Sequence, residues 1–238
     1  MNVAEQRRPG SGEMFDGISA RYDLLNRLTS LGLDQGWRRA LVGALAELAP
    51  TRVLDVAAGT ADVSLELARR YPAARVTGLD PSEKMLARGA EKVRAAGLAE
   101  RVQLVRGDAL ALGFPDGAFD AATVAFGVRN FPDRARGLAE MARVVRPGGL
   151  VAVLELGEPR GLLGPLARLH VHTVVPLLGR LLSSGSEYRY LSSSIAGFPA
   201  PEAFQRELAA AGLYDTGARP LGFGAVHLYL GRVPEDRP

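Results

Sequence analysis

The sequence predicts an α/β fold built on a doubly wound, mostly parallel sheet, and two observations carry that prediction. Short apolar runs alternate with amphipathic helical segments between residues 51 and 156, joined by short links. Two more apolar runs near the carboxyl terminus read as a closing hairpin, which adds one antiparallel edge strand. Together these runs predict a seven-stranded sheet preceded by N-terminal helices and carrying a helical insertion.

The element boundaries follow from apolar periodicity and from capping residues. Asp34 and Ser82 are typical helix N-caps, and Gly97 and the Arg146-Pro147-Gly148-Gly149 segment are typical stops. Strands are predicted at 52–57, 75–79, 102–106, 119–126, 150–156, 213–218 and 223–231. Helices are predicted at 13–20, 23–30, 34–48, 61–71, 82–96, 133–145 and 201–211. Residues 1–12 are expected to form a disordered tail, and residues 13–238 a single domain with a helical lid insertion at about 158–198.

Composition excludes several function classes. The chain has no cysteine, so thiolate nucleophiles and cysteine-ligated metals are excluded, and no metal is expected. Its net charge of +3 comes from arginines scattered among 26 acids, without a basic run, which argues against nucleic acid. No apolar stretch is long enough to span a membrane, and Met1–Gly12 lacks the apolar centre of a signal peptide. We therefore expect a cytoplasmic protein.

The candidate binding site surrounds the small residues that follow the first strand. Side chains at the carboxyl ends of parallel strands converge on one crevice, where open α/β sheets bind ligands. Asp80, after the second strand, is placed to accept hydrogen bonds from a ribose; Asp108-Ala109, after the third, could meet an exocyclic amine. Asp55 and the turn could hold a cationic or zwitterionic tail. The predicted contacts are Asp55, Ala57, Gly59, Thr60, Asp80, Pro81, Asp108, Ala109 and Ala125.

Two ligands fit this layout, a nicotinamide dinucleotide and S-adenosylmethionine. A dinucleotide favours a Gly-x-Gly-x-x-Gly turn that admits its pyrophosphate. Here the turn is Ala57-Ala58-Gly59-Thr60-Ala61-Asp62, and the Asp62 carboxylate is expected to repel that anion while tolerating a sulfonium. The charge argument favours S-adenosylmethionine.

Several motifs narrow the interpretation. The order of elements resembles that of the seven-stranded class I methyltransferases. Three segments resemble the menaquinone/ubiquinone C-methyltransferase family more specifically: Phe126-Gly127-Val128-Arg129-Asn130; Tyr188 to Ile195 with Phe198-Pro199; and the leader from Met14-Phe15-Asp16 through Arg21–Asn26 to Leu31-Gly32-Leu33. The resemblance runs from about residue 13 to residue 231.

This resemblance implies methylation of a ring carbon of a prenylated quinol by S-adenosylmethionine, with Thr60, Asp80, Asp108 and Ala109 on the cofactor. The most direct expectation is the conversion of demethylmenaquinol. There are three alternatives: a ubiquinone-pathway benzoquinol as the substrate, another small molecule as the substrate, or a non-catalytic S-adenosylmethionine-binding module. The chain departs from the family where Asp108 replaces the usual Asn, where Asp34-Gln35-Gly36 replaces a basic pair before Trp37, and where Ala61 replaces Gly.

Carbon methylation needs a nucleophilic phenolate and a donor that stabilises it. The resemblance makes Arg129 the candidate for the phenolate, Asn130 the candidate that orients the quinol or a water, and Tyr22, with Asp23, a candidate to close the pocket. The alternative is that Arg129 pairs with a structural acid such as Asp133 and that Asn130 caps the next helix.

The insertion and the oligomeric state leave further alternatives. Residues 161–182 are expected to cover the polyprenyl tail of the substrate. Peripheral contact with a membrane and the formation of a homodimer are two further alternatives. His170 and His172 lie two positions apart on a predicted helix, so they point in different directions and are expected to be structural.

Overall fold

A seven-stranded mixed sheet forms the centre of the molecule, with strand order β3-β2-β1-β4-β5-β7-β6. The computed structural model describes residue 27, residues 30–157 and residues 193–236. The strands are β1 (Arg52–Val56), β2 (Arg75–Asp80), β3 (Val102–Arg106), β4 (Phe119–Ala125), β5 (Val145–Leu156), β6 (Tyr214–Leu221) and β7 (Val226–Arg232). The first five are parallel, and β7 runs antiparallel to both β5 and β6. The predicted fold class is confirmed, with β7 lying second from the edge and β6 outermost.

Helices cover both faces of the sheet. They are α1 (Asp34–Gly43), α2 (Asp62–Arg70), α3 (Glu83–Ala95), α4 (Arg134–Val144) and α5 (Pro201–Ala210), with short 3₁₀ turns at Ala46–Leu48, Val128–Asn130 and Gly222–Gly224. One apolar cluster joins the sheet to α4 and α5 through residues such as Met141 and Phe204, and the other joins it to α1 and α2 through residues such as Leu41 and Leu67. β4 contributes to both clusters because both of its faces are covered.

Several predicted boundaries differ from the structure, those of α1 and β5 most clearly. Asp34 does not cap α1: Leu33 occupies that position, and the Asp34 carboxylate instead pairs with Arg38 one turn along the helix. The predicted helix to residue 48 ends at Gly43. β5 begins at Val145 rather than at Leu150, since the segment predicted as a stop continues the strand through an irregular pairing with β4.

A buried carboxylate joins three strands at the amino edge of the sheet. Asp120 accepts hydrogen bonds from the backbone N–H of Thr51 (2.7 Å) and Arg52 (2.9 Å), from the Thr51 hydroxyl (2.9 Å), and from Nε of Arg146 (2.8 Å). Burial alone would raise the pKa of Asp120, but these donors outweigh burial and hold the pKa well below its usual range.

Several predictions lie outside the described residues. They are the tail at 1–12, the leader helices apart from residues 27 and 30, Tyr22 and Asp23, the insertion up to residue 192, and His170 and His172.

Candidate functional site

The turn between β1 and α2 is strained and tied to the neighbouring strand. Ala57, Gly59 and Ala61 all have positive φ, at 54°, 54° and 65°. For an alanine this conformation costs roughly 1 kcal/mol, so two such residues in one turn indicate a shape held by its surroundings. The Ala58 N–H donates to the carbonyl of Leu79 at 3.0 Å, which fixes the turn against the end of β2.

A pocket opens beside this turn. The empty volume at this open pocket is ≈ 330 Å³ with open solvent included, and its lining residues are Arg38, Asp55, Ala57, Ala58, Gly59, Thr60, Asp62, Val63 and Ala125. Five residues predicted from the sequence therefore line one cavity: Asp55, Ala57, Gly59, Thr60 and Ala125. The small side chains of the turn leave room for a ligand to approach the backbone closely.

Asp80 fastens the turn from the adjacent strand. One of its carboxylate oxygens accepts the Gly59 N–H at 2.8 Å, and the other accepts the Ser82 N–H at 2.8 Å. Pro81 links Asp80 to Ser82, which caps α3 by accepting the Met85 N–H at 3.1 Å. The carboxylate is thereby held at the carboxyl edge of β2, beside the pocket turn.

Asp108 and Ala109 follow β3 at the same edge. Asp108 is exposed and accepts the Leu110 N–H at 2.9 Å, whereas Ala109 is buried in the core. The loop is folded by this local bond, which leaves the Asp108 carboxylate at the solvent boundary. The predicted order along the sheet edge, with Asp108, Asp80 and the turn on neighbouring strands, is the order in the structure.

Asp55 lies beneath the turn, with 1% of its surface exposed. Its carboxylate accepts hydrogen bonds from the hydroxyls of Ser64 (2.6 Å) and Thr123 (3.1 Å). Burial, aided by the nearby Asp80 charge, raises the pKa of Asp55 from 3.8 to about 6, against the lowering effect of the two hydroxyls. The Asp55 carboxyl is therefore hydrogen-bonded to Ser64 and Thr123, and Asp55 also lines the pocket.

The raised pKa gives a testable pH dependence. Between about pH 4 and pH 6 the folded state keeps a proton on Asp55 that the unfolded chain has released, so the free energy of unfolding falls as pH rises through that window. We expect Asp55→Asn to remove this contribution. In urea denaturation, the free energy of unfolding of the variant should rise relative to that of the unmodified protein by about 2–3 kcal/mol between pH 4 and pH 7. Parallel curves over this range would contradict the assignment.

Asp62 has cationic neighbours that the sequence did not indicate. Its carboxylate pairs with Lys92, and Nη2 of Arg38 lies 4.0 Å away, so the charge that was expected to repel a pyrophosphate is compensated. Lys92 also donates to the Thr60 hydroxyl at 3.1 Å. The Asp62 carboxylate is therefore part of an ion pair rather than an isolated charge beside the turn.

Arg129 forms a buried ion pair beyond the end of β4. Its Nη1 donates to Glu155 at 2.6 Å and to the Phe126 carbonyl at 2.6 Å, and its backbone N–H donates to the second Glu155 oxygen at 3.1 Å. The Glu155 side chain is 0% exposed, and Nε of Arg129, also buried, has no hydrogen-bond acceptor among the described residues. The ion pair thus fixes the guanidinium, while its Nε keeps a donor that no described residue accepts.

The structural alternatives for this segment are only partly correct. Arg129 does pair with an acid, but with Glu155 rather than Asp133, which instead caps α4 by accepting the Arg136 N–H at 3.0 Å. Asn130 ends the 3₁₀ turn and donates its backbone N–H to Gly127 at 3.0 Å; it does not cap α4.

Three functional candidates were missed: Glu155, Arg38 and Lys92. A lone acid in the apolar strand 150–156 signals a buried carboxylate in need of a cationic partner, and Asp34 and Arg38 share the i,i+4 spacing of helical ion pairs. Lys92 carries no comparable local signal. In the described ranges, no three potential ligands among His, Asp and Glu are grouped to hold a metal ion.

Comparisons with known proteins agree with this architecture. Residues 1–232 match the ubiE/COQ5 methyltransferase family. The chain is 47% identical to a demethylmenaquinone methyltransferase of Thermus thermophilus, covering 94% of this chain and 100% of that one. It is 42% identical to the ubiquinone/menaquinone biosynthesis C-methyltransferase UbiE of Geobacter sulfurreducens, covering 92% and 86%.

Solved structures support the fold. An O-methyltransferase family protein from Burkholderia thailandensis superimposes with a TM-score of 0.65 at 19% identity, covering 92% of this chain and 60% of that one. An S-adenosylmethionine-dependent methyltransferase from Thermotoga maritima gives 0.62 at 19% identity, covering 92% and 98%.

Proposed function

Because the chain belongs to the ubiE/COQ5 methyltransferase family, we propose that it methylates a ring carbon of a prenylated quinol, with demethylmenaquinol as the substrate. It is an S-adenosylmethionine-dependent methyltransferase. The names of the relatives support the quinol, and the observation that carries the proposal is the buried Arg129–Glu155 pair beside the pocket.

The chemistry of the pocket fits the cofactor. Asp80 presents a fixed carboxylate, the acceptor type that binds ribose hydroxyls, at the edge of the turn. The turn itself is built from Ala57, Ala58 and Gly59, so its backbone is accessible to a ligand tail. S-adenosylmethionine would supply an electrophilic methyl group at this place. Thr60, Asp108 and Ala109 complete the proposed contacts.

Arg129 is proposed to bind the oxygen of the quinol as it becomes a phenolate. A phenolate spreads negative charge onto the ring carbon, which makes that carbon nucleophilic, and a cation beside the oxygen favours this form. The guanidinium is suited to the task because Glu155 and the Phe126 carbonyl fix its orientation, while no residue in the described ranges accepts a hydrogen bond from its Nε. Asn130 adjoins Arg129 and is proposed to orient the quinol or a water. Tyr22 is a further candidate.

The activity test offers both quinols to the purified protein. With S-adenosylmethionine present, we expect methylation of demethylmenaquinol and little turnover of the ubiquinone-pathway benzoquinol. The reverse preference would favour the second substrate, which the naming of several relatives as UbiE supports. Cofactor binding without methylation of either quinol would overturn the proposed function in favour of a binding module.

We also propose that the protein touches a membrane surface, where prenylated quinols reside. Leu31 and Phe223 are 69% and 67% exposed, and both adopt positive φ, at 53° and 56°. Strain and solvent exposure of apolar side chains are both unfavourable, so their combination favours a contact surface. No helix among the described residues is long and apolar enough to cross a bilayer.

Leu31 and Phe223 lie near the same edge of the sheet. Phe223 lies between β6 and β7, at the carboxyl end of β5, because Val226 pairs with Leu156. The residue before it, Gly222, packs so closely on Trp37 that an added Cβ would lie 2.7 Å from that ring. Trp37 is one turn after Leu33, another exposed apolar residue. The exposed basic residues Arg27, Arg39 and Arg219 suit an anionic lipid surface.

Phe223→Asn should weaken binding to phosphatidylglycerol-containing vesicles roughly tenfold, because it removes an inserted aromatic side chain. Asparagine tolerates positive φ, so the turn should fold normally. The matched control is Tyr214→Asn, since Tyr214 is 45% exposed at the opposite edge of the sheet, where it pairs with Arg232. Vesicle co-sedimentation measures the binding, and equal retention of both variants would argue against this surface.

A further inference from the structure

Arg38 contributes a guanidinium to the cofactor pocket from outside the sheet. It lies on α1, its side chain is only 10% exposed, and it is the one basic residue among those that line the pocket in the described part of the chain. Its Nη1 pairs with Asp34, while its Nη2 is 4.0 Å from Asp62, which is beyond hydrogen-bonding distance. A guanidinium carries five N–H donors, so these contacts do not saturate it.

The position of Arg38 along the sheet edge defines which part of a ligand it could meet. Its Cζ lies 5.6 Å from the centre of the Phe126 ring, just after β4. Asp80 ends β2 and Asp108 follows β3, on the other side of the β1 turn in the order β3-β2-β1-β4. With the adenosine half of the cofactor at Asp80 and Asp108, its amino-acid half is directed towards β4 and Arg38.

We propose that Arg38 binds the carboxylate of the methionine portion of S-adenosylmethionine. The inference rests on the proposed cofactor site and adds a specific anion-binding residue to it. Guanidinium groups match carboxylates through paired N–H donors, and a buried guanidinium loses little conformational freedom on binding. Asp34 holds Arg38 in place, and Lys92 balances the Asp62 charge that would otherwise oppose an anion.

The test compares S-adenosylmethionine with decarboxylated S-adenosylmethionine, which keeps the sulfonium and the amine but lacks the carboxylate. Calorimetric titration of the full chain should show a preference for the intact cofactor of roughly 10- to 100-fold, the size expected from charge-assisted hydrogen bonds. In Arg38→Gln this preference should shrink to within about threefold, while the decarboxylated ligand binds at least as well as before. Arg94→Gln, an exposed arginine near the end of α3, is the control and should keep the preference.

Each outcome decides between the inference and the cofactor assignment. A wild-type protein that binds both ligands equally overturns the role of Arg38, as does an Arg38→Gln protein that keeps the preference or loses affinity for both ligands alike. A wild-type protein that binds neither ligand overturns the cofactor site itself. If Arg38→Gln does not fold, Arg38→Met, which keeps the aliphatic stem, should lose the preference in the same way, and retention would overturn the inference.

Discussion

Arg129→Lys should lower kcat roughly 100- to 1,000-fold, the range seen when one donor to a developing oxyanion is removed. Lysine retains the positive charge opposite Glu155 but cannot reproduce the planar fork that holds Glu155 and the Phe126 carbonyl while directing Nε elsewhere. Lysine is preferable to alanine, since removal of the charge would leave Glu155 buried without its partner at a cost of about 3–5 kcal/mol.

Two measurements isolate this effect. Affinity for S-adenosylhomocysteine should be unchanged in Arg129→Lys, because the substitution lies outside the residues that line the cofactor pocket. Arg134→Lys is the matched control: Arg134 pairs with Glu207 at 3.0 Å between α4 and α5 and is not among the residues that line the pocket. If the Arg129 variant turns over demethylmenaquinol at the wild-type rate, the proposed role of this residue is incorrect.

Asp120→Asn should destabilise the fold by about 2–4 kcal/mol at pH 7, because an amide cannot accept all four hydrogen bonds that this carboxylate receives. The folded-state pKa of Asp120 is depressed, so its contribution is present above about pH 4 and is lost as pH falls further. The difference between variant and wild type should therefore narrow in acid, as measured by urea denaturation.

Asp116→Asn provides the comparison for Asp120. Asp116 also forms a carboxylate–arginine contact, with Arg143 at 2.6 Å, but its side chain is 80% exposed. Solvent screens such pairs, so the substitution should change the free energy of unfolding by less than about 1 kcal/mol. A similar loss in both variants would mean that the link between strands made by Asp120 adds nothing specific.

The fold could be predicted from sequence because its signals are local. Apolar runs mark the strands, Ser82 and Asp133 cap the helices that follow β2 and β4, and Pro201 begins α5. The start of β5 was predicted wrongly because the local signal there is misleading. A Pro-Gly-Gly segment is locally a stop, and it lies within a strand only because Val145 before it pairs with Phe119 on β4 and Leu150 after it pairs with Ala121.

The site was less predictable because its charges are settled by distant partners. Asp62 reads as an uncompensated carboxylate until Lys92, thirty positions later, is brought against it by the packing of α3. Glu155 likewise meets Arg129 only because β4 and β5 are neighbours in the sheet. Positions at the strand ends could be predicted, whereas the state of their charges could not.

Phe126 has a consequence for how the two ligands influence each other. Its ring is contacted by Trp37 and Arg38 on the cofactor side, and its carbonyl is bonded to Arg129 on the proposed quinol side. Because the φ of Phe126 is 58°, its backbone has little freedom to respond to a ligand on one side without changing its contacts on the other. Occupation of either site should therefore alter affinity at the other by the same factor, a reciprocal linkage that equilibrium titrations with both ligands would quantify.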